Sequence, residues 1–406
     1  MATIAVLVDE EEGHILPSFW LLRHLKSRGD RVCYLGPPGA ERLVKSQGFD
    51  FVPIMEDIGS KFAQCNRQAQ KSQQSNLMMD VYFGPLVRGE VLDEVIAELQ
   101  PSVIIILSLY RAEALAIRYR YRLPVVFFSP SLENSRGRHC EKYINMLMNL
   151  RSGAAELFEL LTEAGVRFRS LPDLVQLVLG LPELVLLPES FDLPGRREEP
   201  RGYYVGAGVD ISREEAPFSW TSVDLDRPII YCTRGSQPQI RYEDSLRYFQ
   251  VVIDSAASRP DWQFIIALSK FIDTKNFSTV PSNVILYDWV PQLEVLSRSD
   301  VMVNHGGFGT VKECVLMRVP MVVIPISGFR DHYNCAERVT YHRLGVHSDL
   351  SQVSSSGLVM LIENVLNDQS FKHHISLMRE KFMLDDRLDL AVEVIEHEIS
   401  NWQRAR

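Results

Sequence analysis

Three stretches of this 406-residue chain carry residue types whose spacing points to chemistry. The first is Gly13-His14-Ile15-Leu16-Pro17, which follows an apolar run ending at Asp9 and the acids Glu10 to Glu12, and precedes the helical spacing Phe19, Leu22, Leu25. His14 is therefore expected at a strand-to-helix turn. The glycine permits a sharp turn, the proline suits a first helical turn, and an imidazole at a cleft edge can serve as a general base near neutral pH. Position alone also leaves a structural or merely exposed histidine open, and the three neighbouring acids would raise its pKa.

The second stretch runs Asp288-Trp289-Val290-Pro291-Gln292, then Asn304-His305-Gly306-Gly307-Phe308-Gly309-Thr310 and Glu313, and on through Asp331-His332 and Asn334. Asp300 to Val303 reads as a strand, and His305 to Thr310 as a Gly-rich turn opening a helix over Val311 to Met317. Such a turn offers a phosphate unpaired N–H groups and the positive end of a helix dipole. The Thr310 hydroxyl and the His305 ring add donors, Trp289 offers a flat face to a nucleobase, and Glu313 can accept from a ribose diol. Any single piece also reads as a tight turn with a core tryptophan; the ordered set favours a site. The third stretch, Ile230 to Gln237, leads a strand into the Gly235-Ser236 turn, a place for a second phosphate contact. Arg234 beside it reads either as a partner for a diphosphate or as a solvated loop cation.

The elements that must hold these residues repeat one grammar in both halves, short β-branched runs separated by helix-length amphipathic segments, as in parallel βαβ units. Strands are expected at Ile4 to Val8, Val32 to Leu35, Val103 to Leu107, Val125 to Phe128 and Leu184 to Leu187, then at Ile229 to Cys232, Phe264 to Leu268, Val284 to Leu286, Val301 to Val303 and Val319 to Ile324. Leu86 to Leu99 reads as one amphipathic helix. The fold class is α/β, with an N-terminal domain over 1–207, a polar, Pro-rich linker over 208–226, a second domain over 227–385 and a terminal amphipathic helix over 386–406. In two facing open sheets, ligands bind beyond the carboxyl ends of the strands, which puts the site in the cleft between the domains.

Composition sets the outer limits. Roughly 100 to 200 residues per domain gives about two domains, and 46% hydrophobic with 23% charged residues is an ordinary globular balance. A net charge of −9 disfavours a broad nucleic-acid surface. The six cysteines (33, 65, 140, 232, 314, 335) form no Cys-x-x-Cys pair, so reduced thiols are expected, and with no signal peptide or membrane span a cytoplasmic location follows.

On Gly13-His14-x-x-Pro17 and on Trp289-x-Pro291-Gln292 followed by His305-Gly306-Gly307-x-Gly309-Thr310-x-x-Glu313, the sequence resembles nucleotide-sugar-dependent glycosyltransferases of the GT-B fold. That family includes UDP-glucuronosyltransferases, plant glucosyltransferases and bacterial antibiotic glycosyltransferases. The resemblance implies two Rossmann-like domains facing each other across a cleft, the first binding the acceptor and the second the donor. It implies His14 as the base, Trp289 stacked on the nucleobase with Val290 beside it, and Gln292 and Glu313 on nucleoside hydroxyls. His305, Gly306, Gly307, Gly309 and Thr310 would hold the diphosphate, with Ser236, Gly235 and Arg234 on the opposite loop. Asp331 and His332 correspond to an Asp-Gln pair that holds sugar hydroxyls, with His in place of Gln. Gly309 stands where plant members carry Asn. The acid that usually follows the fourth strand is here Ser108, so Glu113 is the candidate partner of His14, with a solvated helix-surface acid as its other reading.

The implied reaction is inverting transfer of a hexose-type sugar from a UDP- or TDP-sugar co-substrate to a hydroxyl of a small natural-product-like acceptor, with no cofactor and no metal. Residues 57–85, polar and irregular with Leu77, Met78 and Met79, and 139–180, with helical segments rich in Met and Leu, are expected to shape the acceptor pocket, their Met residues otherwise filling ordinary core gaps. Asp224-Leu225-Asp226 reads as solvated linker. An NDP-sugar epimerase of the same fold and a catalytically silent NDP-sugar-binding partner protein are the alternatives.

Overall fold

A strand covered by helices on both faces has no polar side to show water, so buried parallel strands are near-continuous apolar runs. In the computed structural model, which describes residues 1–54, 84–132, 151–194, 202–326, 328 and 330–404, such runs build two sheets. The first joins β1 (Thr3–Leu7), β2 (Arg31–Gly36), β3 (Asp50–Pro53), β4 (Val103–Leu107), β5 (Val125–Ser129), β6 (Glu183–Val185) and β7 (Gly202–Tyr204) in the order β3-β2-β1-β4-β5-β6-β7. The second joins β8 (Ile229–Thr233), β9 (Gln263–Ala267), β10 (Val284–Tyr287), β11 (Val301–Asn304), β12 (Met321–Val323) and β13 (Gly345–His347) in the order β10-β9-β8-β11-β12-β13. The pairings are parallel. The chain reverses its direction of travel across the sheet between β1 and β4 and again between β8 and β11, which makes two crevices at strand carboxyl ends.

The helices of the first half are α1 (Glu12–Ser27), α2 (Glu41–Ser46), α3 (Gly84–Arg88), α4 (Asp93–Leu99), α5 (Arg111–Tyr121), α6 (Arg151–Glu163) and α7 (Leu171–Leu179). Those of the second are α8 (Tyr242–Ala257), α9 (Gln292–Leu296), α10 (Phe308–Met317), α11 (Arg330–Tyr341), α12 (Ser355–Asn367) and α13 (Gln369–Leu384), and α14 (Leu388–Arg404) ends the chain. The span Leu86 to Leu99 is two helices and not one, because Gly89 between them takes φ +82, a left-handed value that interrupts the helix. Among the described residues no helix is long and apolar enough to cross a membrane. Cys33, Cys232, Cys314 and Cys335 are free and buried; Cys65 and Cys140 lie outside the described residues, as do 57–83 and 139–150 of the expected acceptor segments.

Alternate residues of the first sheet feed two cores, one with Ala5, Leu7 and Ile104, the other with Ile4, Val6 and Val103. The second of these also takes Ala391, Val392, Val394 and Ile395 of α14, so the end of the chain packs on the first sheet. A further core crosses between the halves: Leu187 and Phe191 of the first lie with Phe308, Val311 and Phe382 of the second. Phe191 is fully buried, its ring 6.1 Å from Phe308, 5.6 Å from His342 and 5.7 Å from Phe382. Beside it, Lys312 donates from Nζ to the Leu186 carbonyl at 3.1 Å, and Arg338 pairs with Asp192.

Candidate active site

The loop after β1 is short, so α1 begins at Glu12 and His14 lies within its first turn. This corrects the expected turn: Gly13 is helical and not at a sharp bend, and Pro17 sits inside the helix. His14 Nδ1 is 2.8 Å from Asp9 Oδ2, an oxygen that also accepts from the Tyr110 hydroxyl at 3.2 Å, while Asp9 Oδ1 accepts from the Glu11 amide at 3.0 Å. An ionised carboxylate can only accept, so the proton sits on Nδ1 and Nε2 is left as the basic nitrogen. Burial alone would lower the His14 pKa, but the hydrogen bond and charge of Asp9, with the charges of Glu11 and Asp331, outweigh it and raise it.

The partner of His14 is therefore Asp9, and neither Glu113 nor Ser108 takes that place. Ser108 ends β4 and donates its amide to the Phe128 carbonyl, its side chain buried. Glu113 is buried on α5, so the reading as a solvated surface acid also fails. The signal for Asp9 was present, an acid just past the first strand and five residues before the histidine.

On the opposite side, the carboxyl ends of β8 and β11 bring two turns together. The His305 ring is clasped between Gly235 and Gly307: a Cβ on Gly235 would come within 2.6 Å of its Cε1 and one on Gly307 within 2.5 Å of its Nε2. Only glycine fits at either position. Helix α10 starts at Phe308 and not at Val311, so Gly309 and Thr310 belong to its first turn, where backbone N–H groups have no helical partner. A Cβ on Gly309 would meet nothing within 4 Å, which leaves that turn facing open space. Ser236 is exposed at the tip of the facing turn.

Arg234 is not a solvated loop cation. It is 1% exposed, lies 5.6 Å over the Tyr248 ring, and among the described residues none of its three guanidinium nitrogens has a hydrogen-bond partner. Burial lowers its pKa. Beside it, His305 is driven well below its usual pKa by burial and by the charges of His332 and Arg234, and its Nδ1 is likewise unpartnered. His332, pushed down to about 4 by burial and by Arg234, lies edge-on to His305 at 4.8 Å. Both rings are neutral at pH 7. A buried cation whose guanidinium nitrogens have no hydrogen-bond partner among the described residues, with Tyr248 and Asp244 opposing the effect of burial, is a place that favours an anion.

Trp289 is 56% exposed just beyond β10, whereas the Val290 side chain is buried in the core, so only its backbone could meet a ligand. Gln292 opens α9 and donates to Glu313 Oε2 at 2.5 Å, and Glu313 Oε1 accepts from Arg213 at 2.5 Å. Asp331 and His332 lie in the first turn of α11, with Asp331 within electrostatic reach of His14. Asp224 of the Asp-x-Asp pairs with Arg227 on the surface. A hollow of about 700 Å³ between Asp93, Arg118, Tyr121 and Trp402 is lined by none of these residues.

Residues 263–400 match the family described as UDP-glucoronosyl and UDP-glucosyl transferase. The chain is 25% identical over 375 residues to the NDP-glycosyltransferase YjiC of Bacillus subtilis (strain 168), covering 91% of this chain and 90% of the relative. It is 22% identical over 415 residues to the demethyllactenocin mycarosyltransferase of Streptomyces fradiae, covering 98% and 86%. Among solved structures, the glycotransferase of kitacinnamycin superposes with a TM-score of 0.78 at 25% identity, over 98% of this chain and 99% of that one.

Proposed function

We propose that this chain, a GT-B glycosyltransferase of the UDP-glucuronosyl and UDP-glucosyl transferase family, moves a hexose-type sugar from a UDP- or TDP-sugar to a hydroxyl of a small natural-product-like acceptor, with inversion. The observation that carries this reading is the Asp9-supported His14 standing across the cleft from Asp331, whose neighbour His332 meets the His305 turn of the donor half. The names of relatives such as the mycarosyltransferase support the acceptor class.

His14 Nε2 takes the acceptor hydroxyl proton as that oxygen attacks the anomeric carbon. The bond from that carbon to the diphosphate breaks on the opposite face, and its electron pair leaves with the diphosphate. The charge developing there meets the free N–H groups of Phe308, Gly309 and Thr310, the Ser236 turn and the buried Arg234, a preorganised electrostatic stabilisation. The Asp9 carboxylate balances the imidazolium that forms. Glu313 and Gln292 meet the ribose and Trp289 stacks on the base. His332, neutral and with Nδ1 buried, offers the sugar a single ring nitrogen beside Asp331, where a glutamine amide would offer both an NH2 and a carbonyl oxygen.

Asp9 also removes the motive for a catalytically silent partner protein, which was the missing carboxylate at Ser108. The test is a screen of UDP- and TDP-sugars with polyketide and phenolic acceptors, the anomeric configuration of product read by NMR, run on wild type and His14→Ala. Transfer with inversion that His14→Ala abolishes, while nucleotide binding persists, is expected. Unchanged transfer by His14→Ala would overturn the base, and isomerised NDP-sugar without acceptor would favour an epimerase.

A further inference from the structure

The linker between the halves reads in sequence as polar connecting chain, yet its Arg213 is buried, with only 6% of the side chain exposed. Nη1 donates to Glu313 Oε1 at 2.5 Å, while Nε and Nη2 donate to Glu215 Oε1 at 2.9 and 2.7 Å. Glu215 in turn uses Oε2 to accept from the amides of Leu293 and Glu294, at 3.0 and 3.4 Å, at the start of α9. That turn carries Gln292, whose Nε2 reaches Glu313 Oε2 and whose Oε1 accepts from the Tyr231 hydroxyl at 3.2 Å.

We propose that Arg213 is a positioning residue of the nucleotide site, holding Glu313 directly, and Gln292 through Glu215, in the orientation that meets a ribose diol. The proposal rests on the reading of the donor half given above. Two carboxylates side by side in a buried place repel and resist ionisation unless a cation lies between them. Arg213 is that cation, and the two acids raise its own pKa despite burial. A carboxylate has about four acceptor positions. On Glu313, Arg213 fills one position on Oε1 and Gln292 one on Oε2, which leaves one position on each oxygen, a match for two adjacent hydroxyls. Without Arg213, Glu313 would lose the donor that fixes Oε1 and turn toward water, and the α9 turn would lose its Glu215 support.

The same segment is tied to the other half. Asp210 accepts from Arg23 of α1 at 2.8 Å, and Gln47 donates to the Glu214 carbonyl at 2.9 Å. The strut that braces the nucleotide site is thus a linker element fastened to the helix that bears His14.

The test is calorimetric titration of wild type and Arg213→Met with UDP, TDP and inorganic pyrophosphate. Arg213→Met is expected to weaken UDP about tenfold, a change of about 1.4 kcal/mol, to weaken TDP less because it lacks the 2′-hydroxyl, and to leave pyrophosphate affinity and the pH profile of transfer unchanged. In a Glu313→Gln background the same substitution should cost less UDP affinity than it does in wild type, since the part that acts through Glu313 is already lost. Undiminished UDP affinity in the folded variant overturns the proposal, and so does an equal loss for UDP and pyrophosphate, which marks a general structural role. Arg213→Lys, which keeps the charge but cannot span both carboxylates, is read by the same criteria should the Met variant fail to fold. Wild type binding neither UDP nor TDP would overturn the donor reading itself.

Discussion

Asp9 Oδ2 lies 2.8 Å from His14 Nδ1 and is shared with the Tyr110 hydroxyl, so the carboxylate that orients the candidate base comes from the loop just before it and not from the end of the neighbouring strand β4. The difference matters because a partner in the same loop moves with the histidine. Tyr110, just past β4, adds a second tie that holds the same carboxylate to the neighbouring strand.

For Asp9→Asn, the expected result is a loss in kcat of about 10²-fold, within the range for general-base catalysis, together with a shift of the acidic limb of the pH–rate profile to lower pH. The sign follows from the base having to be neutral. Asp9 raises the His14 pKa against the opposing effect of burial, so the acidic limb of the wild type lies at higher pH than it would without that charge, and removing it lets the ring deprotonate earlier. A pH–rate series on both proteins checks this; an unmoved acidic limb would refute the role of Asp9.

Arg234 sets stability against binding. A buried cation with no partner costs several kcal/mol, and Met fills similar space without the charge. Arg234→Met is expected to stabilise the ligand-free protein by about 2 kcal/mol and, on the proposed reading of Arg234 as a diphosphate contact, to weaken UDP and pyrophosphate alike. Denaturant melts with and without UDP measure both effects. A destabilised apoprotein would mean that the guanidinium has a compensation in solution that the buried geometry lacks.

Much of the architecture was legible because central strands must be apolar on both faces. The strands that escaped were β3, β7 and β13, and all three are edge strands. Asp50–Pro53, Gly202–Tyr204 and Gly345–His347 are short and contain Asp, Pro, Gly or His, as edges that must resist further pairing do. The site divided along similar lines. The glycines around His305 and the position of His14 follow from local turn chemistry. Asp9 as a partner requires knowing that the loop doubles back onto the first helical turn. Arg213 was read as part of a solvated linker because its two carboxylates come from its own neighbour Glu215 and from Glu313, one hundred residues away. Val290 turns its side chain into the core, which a motif cannot say, because it records identity and not which face of the chain meets the core.

The joint between the halves gives the last expectation. Lys312 is wholly buried on α10, its Nζ 3.1 Å from the Leu186 carbonyl of the first half and 4.3 Å from the Phe308 ring centroid. Burial pushes its pKa down to about 7, against the opposing pull of Glu313 and Cys335. In the unfolded chain the amine titrates near its ordinary 10.5, so between the two values the unfolded state binds more protons than the folded one. Stability then rises with pH across that window, the cost being fully present below about 7. Lys312→Met should flatten this rise, and the difference between the two melting curves from pH 7 to 9 isolates it from the other titrating groups. Parallel curves would mean that Lys312 stays charged in the joint. In that case a cation held at the Leu186 carbonyl, and not a neutral amine, fastens α10 to the first half.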